Sequence, residues 1–314
     1  MSIPVFSGTA VERAVSPAEA YEAVKSAFIA HARGEWTMQP KVYVTNYPAG
    51  DFRAMPALGG GHALLKWVTS FPNNPAQGLQ TVTGLVLLSN ASTGQLEAVL
   101  DAAAVTALRT AAAGVIAAEA LGSPRAESFA VVGCGVNGAE TVRMLRARGK
   151  DVLVWDLDAA RAAAVAERLG ARVALSREEA LACDAVVTVT PGKEVLFPEG
   201  SLREGQHVSL MGADGPGEAE VAVTELGRAE LFCDDWEQGG AKGTGDIGSG
   251  VAAGMVTREQ VTPLGAVLAG EAEGRRSAED ITLFDSTGLA IQDLAIAIAA
   301  YGKVDELELP TLDL

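Results

Sequence analysis

The spacing of apolar positions changes period along the chain, and each change marks an element. Ser16-Pro17-Ala18-Glu19, followed by apolar residues at helical spacing, predicts a helix to about Ala32. Ser16 caps its first turn, Pro17 suits the first helical position, and Glu19 completes a capping box. Residues 40–47 and 51–56 read as strands around the turn signal Tyr47-Pro48-Ala49-Gly50. Strand-like runs follow at 62–70 and 80–89, Ser92-Thr93-Gly94 turns the chain, and Leu96 to Leu100 reads as another strand. Asp101 to Leu121 is one long helix, ended by Gly122-Ser123-Pro124. Residues 1–121 therefore predict an α+β unit with an antiparallel sheet.

From Ser128 the rhythm alternates. Strand patterns fall at 128–133, 152–156, 172–175, 184–189, 206–211 and 231–233, with helical patterns between them and a further strand at Thr282 to Ser286. This is the signature of a parallel, doubly wound α/β sheet. The helix from Gly288 to Tyr301 is apolar around most of its circumference, which predicts burial between domains or subunits. The glycine-rich stretch Gln238–Gly254 reads as a mobile loop near a site or as a plain surface loop.

The strand pattern Phe129–Val132 runs straight into Gly133-x-Gly135-x-x-Gly138 and a helix. A second apolar run, Val152 to Trp155, ends in Asp156 about twenty residues after the glycines, the full context of a Rossmann-like dinucleotide site. Gly133 permits the tight turn, Gly135 lets the backbone approach a pyrophosphate, and Gly138 lets the helix close on the strand. The helix N-terminus offers N–H groups and a positive dipole end to phosphates. The Asp156 carboxylate suits both ribose hydroxyls and so favours NAD, although Arg161 one turn on leaves NADP open. Thr188-Val189-Thr190-Pro191, at the end of another strand, lies where the nicotinamide or adenosine pocket is expected.

Composition narrows the class. A length of 314 residues allows two domains and a large core. Apolar content is high, yet no uninterrupted apolar stretch has membrane-spanning length, and Arg109 and Thr110 interrupt the run around Ala102–Leu121. The segment Met1-Ser-Ile-Pro-Val-Phe6 has no basic region followed by an apolar core, so a signal peptide is not expected. Cys134, Cys183 and Cys233 are odd in number, far apart and without metal spacing, which fits a reduced cytoplasm. The net charge of −16 argues against nucleic acid, but not against a small anion held by local cations.

Four such cations stand alone in apolar segments: Lys41, Arg53, Lys66 and Arg109. Each needs an anionic partner if buried. That partner is an internal carboxylate or a bound one; the scarcity of nearby acids favours convergence on a bound carboxylate or phosphate. Asp214 follows the strand Val208–Met211 in a glycine-rich loop, where open parallel sheets place functional groups and where turn aspartates are also common. His31, His62 and His207 read as structural or solvated.

Lys41-Val-Tyr43, Arg53-Ala-Met-Pro-Ala57, Lys66-Trp-Val68, Gly78-Leu-Gln-Thr-Val-Thr83 and Leu108-Arg-Thr-Ala-Ala112 are similar to segments of the ornithine cyclodeaminase/μ-crystallin family. So are Gly133 to Gly138, Gly212 to Gly217 and Phe284-Asp-Ser-Thr-Gly288, in order and spacing across almost the whole chain. The contexts of Lys41 and Arg53, with Asp234-Asp235-x-Glu237-Gln238 and the run Asp285 to Asp293, resemble the archaeal-type alanine dehydrogenase branch. The resemblance implies a Rossmann-like NAD-binding domain over 122–288 and an α+β substrate-binding and dimerisation domain from 1–121 plus 289–314. It implies a homodimer and a small amino acid or 2-oxo acid substrate. By matched position, Lys66 and Arg109 bind the substrate carboxylate, Lys41 and Arg53 add the cationic pair of the dehydrogenase branch, and Asp214 is the catalytic aspartate. Lys66 and Asp214 would move protons. Thr81, Thr110, Val136, Asn137, Asp156 and Ser286 fall on cofactor-contacting positions, joining Gly133, Gly135, Gly138 and Thr190. Glu218 stands where cyclodeaminases carry a lysine, which argues against a cyclodeaminase and against one cofactor contact, and the glutamate that they carry near the position of Arg53 is absent, which favours a small substrate. The implied reaction is L-alanine + NAD+ + water to pyruvate + ammonia + NADH. The alternatives are a cyclic ketimine (pyrroline-2-carboxylate) reductase, an ornithine cyclodeaminase, or a non-catalytic NAD(P)H-linked binding protein.

Overall fold

Period-two alternation builds the first sheet. The computed structural model describes residues 2–213, 215 and 217–313. The chain opens with β1 (Ser2–Phe6), α1 (Gly8–Ala14) and α2 (Pro17–Ala32). The expected capping box forms: Ser16 Oγ accepts the Glu19 N–H, and the Glu19 carboxylate accepts the Ser16 N–H at 2.9 Å. Then come β2 (Thr37–Met38), β3 (Val42–Asn46), β4 (Gly50–Gly59), β5 (His62–Ser70), β6 (Val82–Asn90), β7 (Leu96–Asp101) and α3 (Ala102–Leu121). β3 to β7 pair antiparallel in chain order, but β1 lies parallel to β7, so the sheet is mixed. Nothing local announces β1, whose partner is at the far end of the segment. Along β5, Leu64, Lys66 and Val68 are buried while Leu65 and Trp67 are exposed. The register sets Arg53 opposite Val68 and Met55 opposite Lys66, which puts Arg53 and Lys66 on the same inner face.

The second sheet is wholly parallel. Its elements are β8 (Phe129–Val132), α4 (Val136–Ala147), β9 (Val152–Trp155), α5 (Ala159–Leu169), β10 (Arg172–Val173), α6 (Arg177–Leu181), β11 (Ala185–Thr188), β12 (His207–Leu210), α7 (Val223–Leu226), β13 (Glu230–Cys233), α8 (Gly245–Ala252), β14 (Val261–Pro263), α9 (Leu264–Leu268) and β15 (Thr282–Asp285). The strand order is β10-β9-β8-β11-β12-β15-β13-β14. β8, β11, β12 and β15 are buried at every position, as a sheet covered on both faces requires. Strand order reverses between β8 and β11, the switch point at which such sheets bind ligands. The stretch Gln238–Gly254 is not a loop: it contains a 3-10 turn, Gly240–Lys242, and α8. Its anchors are buried acids, one on β15 and one on α8 itself. The Ile247 N–H donates to Asp285 at 2.8 Å, and Asp246 accepts the Glu220 and Val221 N–H groups, each at 2.8 Å.

The chain then returns to the first sheet through α10 (Ala290–Tyr301) and β16 (Thr311–Asp313), giving the order β16-β1-β7-β6-β5-β4-β2 with β3 on β4. α10 packs on α2 and on β4 and β5. It is a core helix of this unit, which accounts for its all-round apolar character without a domain or subunit boundary. Two compact units result, Met1–Arg109 with Leu289–Leu314, and Thr110–Gly288. The division falls inside α3, not after Leu121. Early in that helix Thr106 Oγ1 accepts from Lys66 at 2.6 Å, whereas later the Gly114 carbonyl accepts from Ser209 Oγ at 2.9 Å. By length and composition α3 could cross a membrane, but 83% of its apolar window is buried within the fold, as in a core helix.

Candidate functional site

The turn after β8 has the backbone of a phosphate-binding loop. Gly133 has φ 101°, and a Cβ there would meet the Val189 carbonyl oxygen at 2.8 Å. A Cβ on Gly138 would overlap the Gly133 carbonyl, so α4 lies close against the strand. Gly135 differs: nothing described lies within 4 Å of an added Cβ. It caps α4 with no side-chain bond to the first turn, leaving that turn's N–H groups for an anion. Val136 beside it is 73% exposed, and the Asn137 carbonyl accepts from Thr141 Oγ1 at 2.8 Å. Asp156, at the end of β9, accepts the Cys134 N–H at 2.6 Å and the Asp158 N–H at 2.8 Å. It braces the glycine turn and keeps spare lone pairs, since a carboxylate has about four acceptor positions. Arg161 stands 3.5 Å from it. Leu157, next in sequence, is 80% exposed and offers an apolar surface that sequence patterning does not single out. These features fit a dinucleotide. Burial, helped by the Asp156 charge, pushes the Cys134 thiol up to about 12, so this cysteine packs and does not react.

Several candidate hydroxyls serve the fold. Thr188 and Thr190 each donate to the buried Glu220 carboxylate at 2.6 Å, and the Gly212 N–H reaches it at 3.1 Å. Ser286 Oγ donates to Asp234 at 2.9 Å, and the same oxygen of Asp234 accepts the Gly288 N–H at 2.7 Å. The Thr110 hydroxyl is buried and has no hydrogen-bond partner among the described residues. Thr81 belongs to the other unit, where its carbonyl accepts the Phe71 N–H at 2.8 Å. Asp214 lies outside the described residues. His207 is buried between Thr282 and Ser209, and burial drives its imidazole down to about 3, which makes it a neutral structural group.

In the first unit the cations gather on the inner face of the sheet. Lys66 Nζ donates to Thr106 Oγ1 at 2.6 Å and to Asp293 Oδ1 at 2.8 Å. Arg109 Nε lies 3.5 Å from the same Asp293 oxygen, and its Nη1 donates to Gln292 Oε1 at 3.4 Å. Arg53 is gripped by Asp51, Nε to Oδ1 at 2.6 Å and Nη2 to Oδ2 at 3.2 Å, and lies over the Tyr43 ring. Lys41 is buried just before β3. Internal carboxylates therefore partner Arg53, Lys66 and Arg109, where the scarcity of nearby acids points instead to a bound anion. Asp51 is legible two residues from Arg53, on the same strand face. Asp293 is 227 residues from Lys66 and carries no local signal. The exchange is incomplete, because Lys66 and Arg109 share one carboxylate. Burial pulls the Lys66 ammonium down to about 8; Asp293 supports its charge, while Arg109 and Arg53 oppose it.

The profile of the ornithine cyclodeaminase/mu-crystallin family matches residues 4–308. The chain belongs to that family. An alanine dehydrogenase of Archaeoglobus fulgidus is 41% identical to this family member over 93% of this chain and 92% of its own. An archaeal alanine dehydrogenase dimer solved with bound NAD superimposes with a TM-score of 0.93 at 39% identity, covering all of both chains. The Δ1-pyrroline-2-carboxylate reductase of Thermococcus litoralis, solved with NADH and L-proline, superimposes with a TM-score of 0.91 at 25% identity, over 99% of this chain and 100% of that one.

Proposed function

We propose that this family member is an NAD-dependent amino-acid dehydrogenase that interconverts L-alanine with pyruvate and ammonia. The observation that carries the reading is the shared carboxylate: Lys66 and Arg109 leave one buried positive charge in excess over Asp293. A substrate carboxylate cancels it at little further cost, because an unpaired buried charge is already the expensive state. Similarity to the Archaeoglobus fulgidus alanine dehydrogenase supports the substrate, and the NAD held by the archaeal neighbour supports the cofactor.

Gly133, Gly135, Gly138, Val136 and Asn137 hold the pyrophosphate, and Asp156 takes the ribose and prefers NAD to NADP. When bound, NAD accepts the hydride from the substrate carbon. Lys66 and Arg109 orient the substrate by its carboxylate. The Lys66 ammonium, at about 8, can release and regain a proton near neutral pH. We assign the second proton transfer to Asp214. Arg53, held by Asp51, lines the same face, and Lys41 stands at the head of the adjoining strand.

We also propose a homodimer, matching the archaeal neighbour solved as a dimer. Val42, Ala54, Trp67 and Leu85 align in register across β3, β4, β5 and β6, with Val42, Trp67 and Leu85 exposed. A contiguous apolar strip on a sheet face is what a subunit covers. The three free, buried cysteines suit the reducing cytoplasm in which we place it.

The deciding assay is NADH oxidation with pyruvate, with and without ammonia, beside pyrroline-2-carboxylate. Ammonia-dependent turnover of pyruvate is the expected result. Turnover of the preformed cyclic imine alone would make the protein a ketimine reductase, and NADH binding without turnover of any would make it a binding protein.

A further inference from the structure

Beside the inner face of the first sheet, several buried polar atoms lack a hydrogen-bond partner among the described residues. Asp293 Oδ2, Gln292 Nε2 and Arg109 Nε form no hydrogen bond among the described residues, although all are buried. Asp293 itself is fully buried at the start of α10. Of the three protons on the Lys66 ammonium, Thr106 and Asp293 take two. One carboxylate oxygen thus holds two cations from different elements, Lys66 on β5 and Arg109 on α3, while their remaining donors stay uncommitted. An arrangement built only to neutralise charge would pair each cation with its own carboxylate, as Asp51 does for Arg53.

We infer that Asp293 is a positioning residue for the reaction proposed above: its Oδ1 fixes Lys66 and Arg109 side by side, so that their free donors converge on a substrate carboxylate. It does not touch the substrate; it acts by holding both cations. The charged groups around the Lys66 ammonium are Asp293 from α10, Arg109 from α3 and Arg53 from β4. Among the described residues Asp293 is the anion of this group, and it also sets how readily the ammonium gives up its proton.

The test is Asp293→Asn, which keeps the shape and an acceptor oxygen but removes the charge. Pyruvate binding to the NADH-saturated protein, measured by calorimetry without ammonia, should weaken at least about tenfold, the usual order for loss of a charged hydrogen-bond partner. NADH affinity should stay within about twofold. In turnover, the pH limb belonging to Lys66, near 8 in the native protein, should move to lower pH, because the remaining neighbours are cations. A folded variant with native pyruvate affinity and a native limb overturns the inference. Thr106→Val serves as the second variant and covers the case in which Asp293→Asn does not fold. It removes only a neutral acceptor and should lower the limb by less than about one pH unit; a larger downward shift there would transfer the positioning role to the hydroxyl and overturn the inference too. Failure of the functional reading is separable, since it appears in the native protein as absence of pyruvate binding and turnover. The comparison then rests on thermal melting against pH. Lys66, lowered from 10.5 to about 8, adds stability as pH rises through that interval. In Asp293→Asn the rise should begin at lower pH, and an unchanged onset overturns the inference.

Discussion

At the scale of single residues, the charges that matter are those whose partners come from far away. In the proposed cofactor site Asp156 takes the ribose, and its carboxylate would repel a 2′-phosphate there. Asp156→Ser should therefore raise the ratio of NADPH to NADH efficiency about tenfold or more, equivalent to about 1.4 kcal/mol. Steady-state kinetics with both cofactors measure this, and an unchanged ratio would remove Asp156 from cofactor selection. Asp156 was legible because the glycine pattern fixes where the next strand ends. Lys66 and Arg109 were legible as lone cations in apolar runs. Asp293 was not, because a partner 227 residues away leaves no trace in local spacing. The hydroxyls misled for a similar reason: Thr190 and Ser286 stand at strand ends facing the expected site, yet distant Glu220 and Asp234 take their protons.

At the scale of elements, α4 and α8 lend themselves to separate tests. Gly135 is an extended N-cap with open space around it, so alanine fits the backbone without collision. Gly135→Ala should melt within about 4 °C of the native protein, because alanine at an N-cap costs about 1 kcal/mol in a chain of this size. It should still weaken NADH binding at least about tenfold, because the methyl group would fill the space reserved for the pyrophosphate. Equal losses of stability and affinity would mean that the residue serves the fold. α8 rests on buried acids. Burial, reinforced by Glu220, lifts Asp246 from 3.8 to about 7, and burial also lifts Glu220 and Asp285. A folded value above the unfolded one means that stability is complete below about pH 4 and declines as pH rises through about 7. Asp246→Asn keeps an acceptor for the Glu220 and Val221 N–H groups and cannot ionise. Its melting temperature should exceed the native one by a margin that widens between pH 5 and pH 8. Parallel curves would show that Asp246 does not carry this dependence. Sequence pattern found the long elements, such as α2 with its capping box, and missed α8, which is held through Asp285 of a distant strand and through its own Asp246 to the distant backbone of Glu220 and Val221.

At the scale of the whole molecule, the proposed dimer rests on the apolar strip across β3 to β6. Trp67 stacks on Phe52 at 5.8 Å between ring centroids and remains exposed, which a lone protomer has no reason to present. Trp67→Glu should convert a dimer to a monomer in sedimentation velocity while leaving NADH affinity unchanged. A native protein that sediments as a monomer at all concentrations would reject the interface.

The first unit is assembled from two stretches of chain separated by the whole of the second. During synthesis the ribosome delivers Lys66 long before Asp293, and β1 long before its neighbour β16. The parallel sheet, by contrast, comes from one continuous stretch and can close as soon as that stretch is free of the exit tunnel. The sheet carrying Lys66 must wait, with its lysine still in water and one edge strand unpaired. A nascent chain halted before residue 289 should accordingly hold dinucleotide and have no place yet for a substrate carboxylate, so the two halves of the chemistry are born in a fixed order.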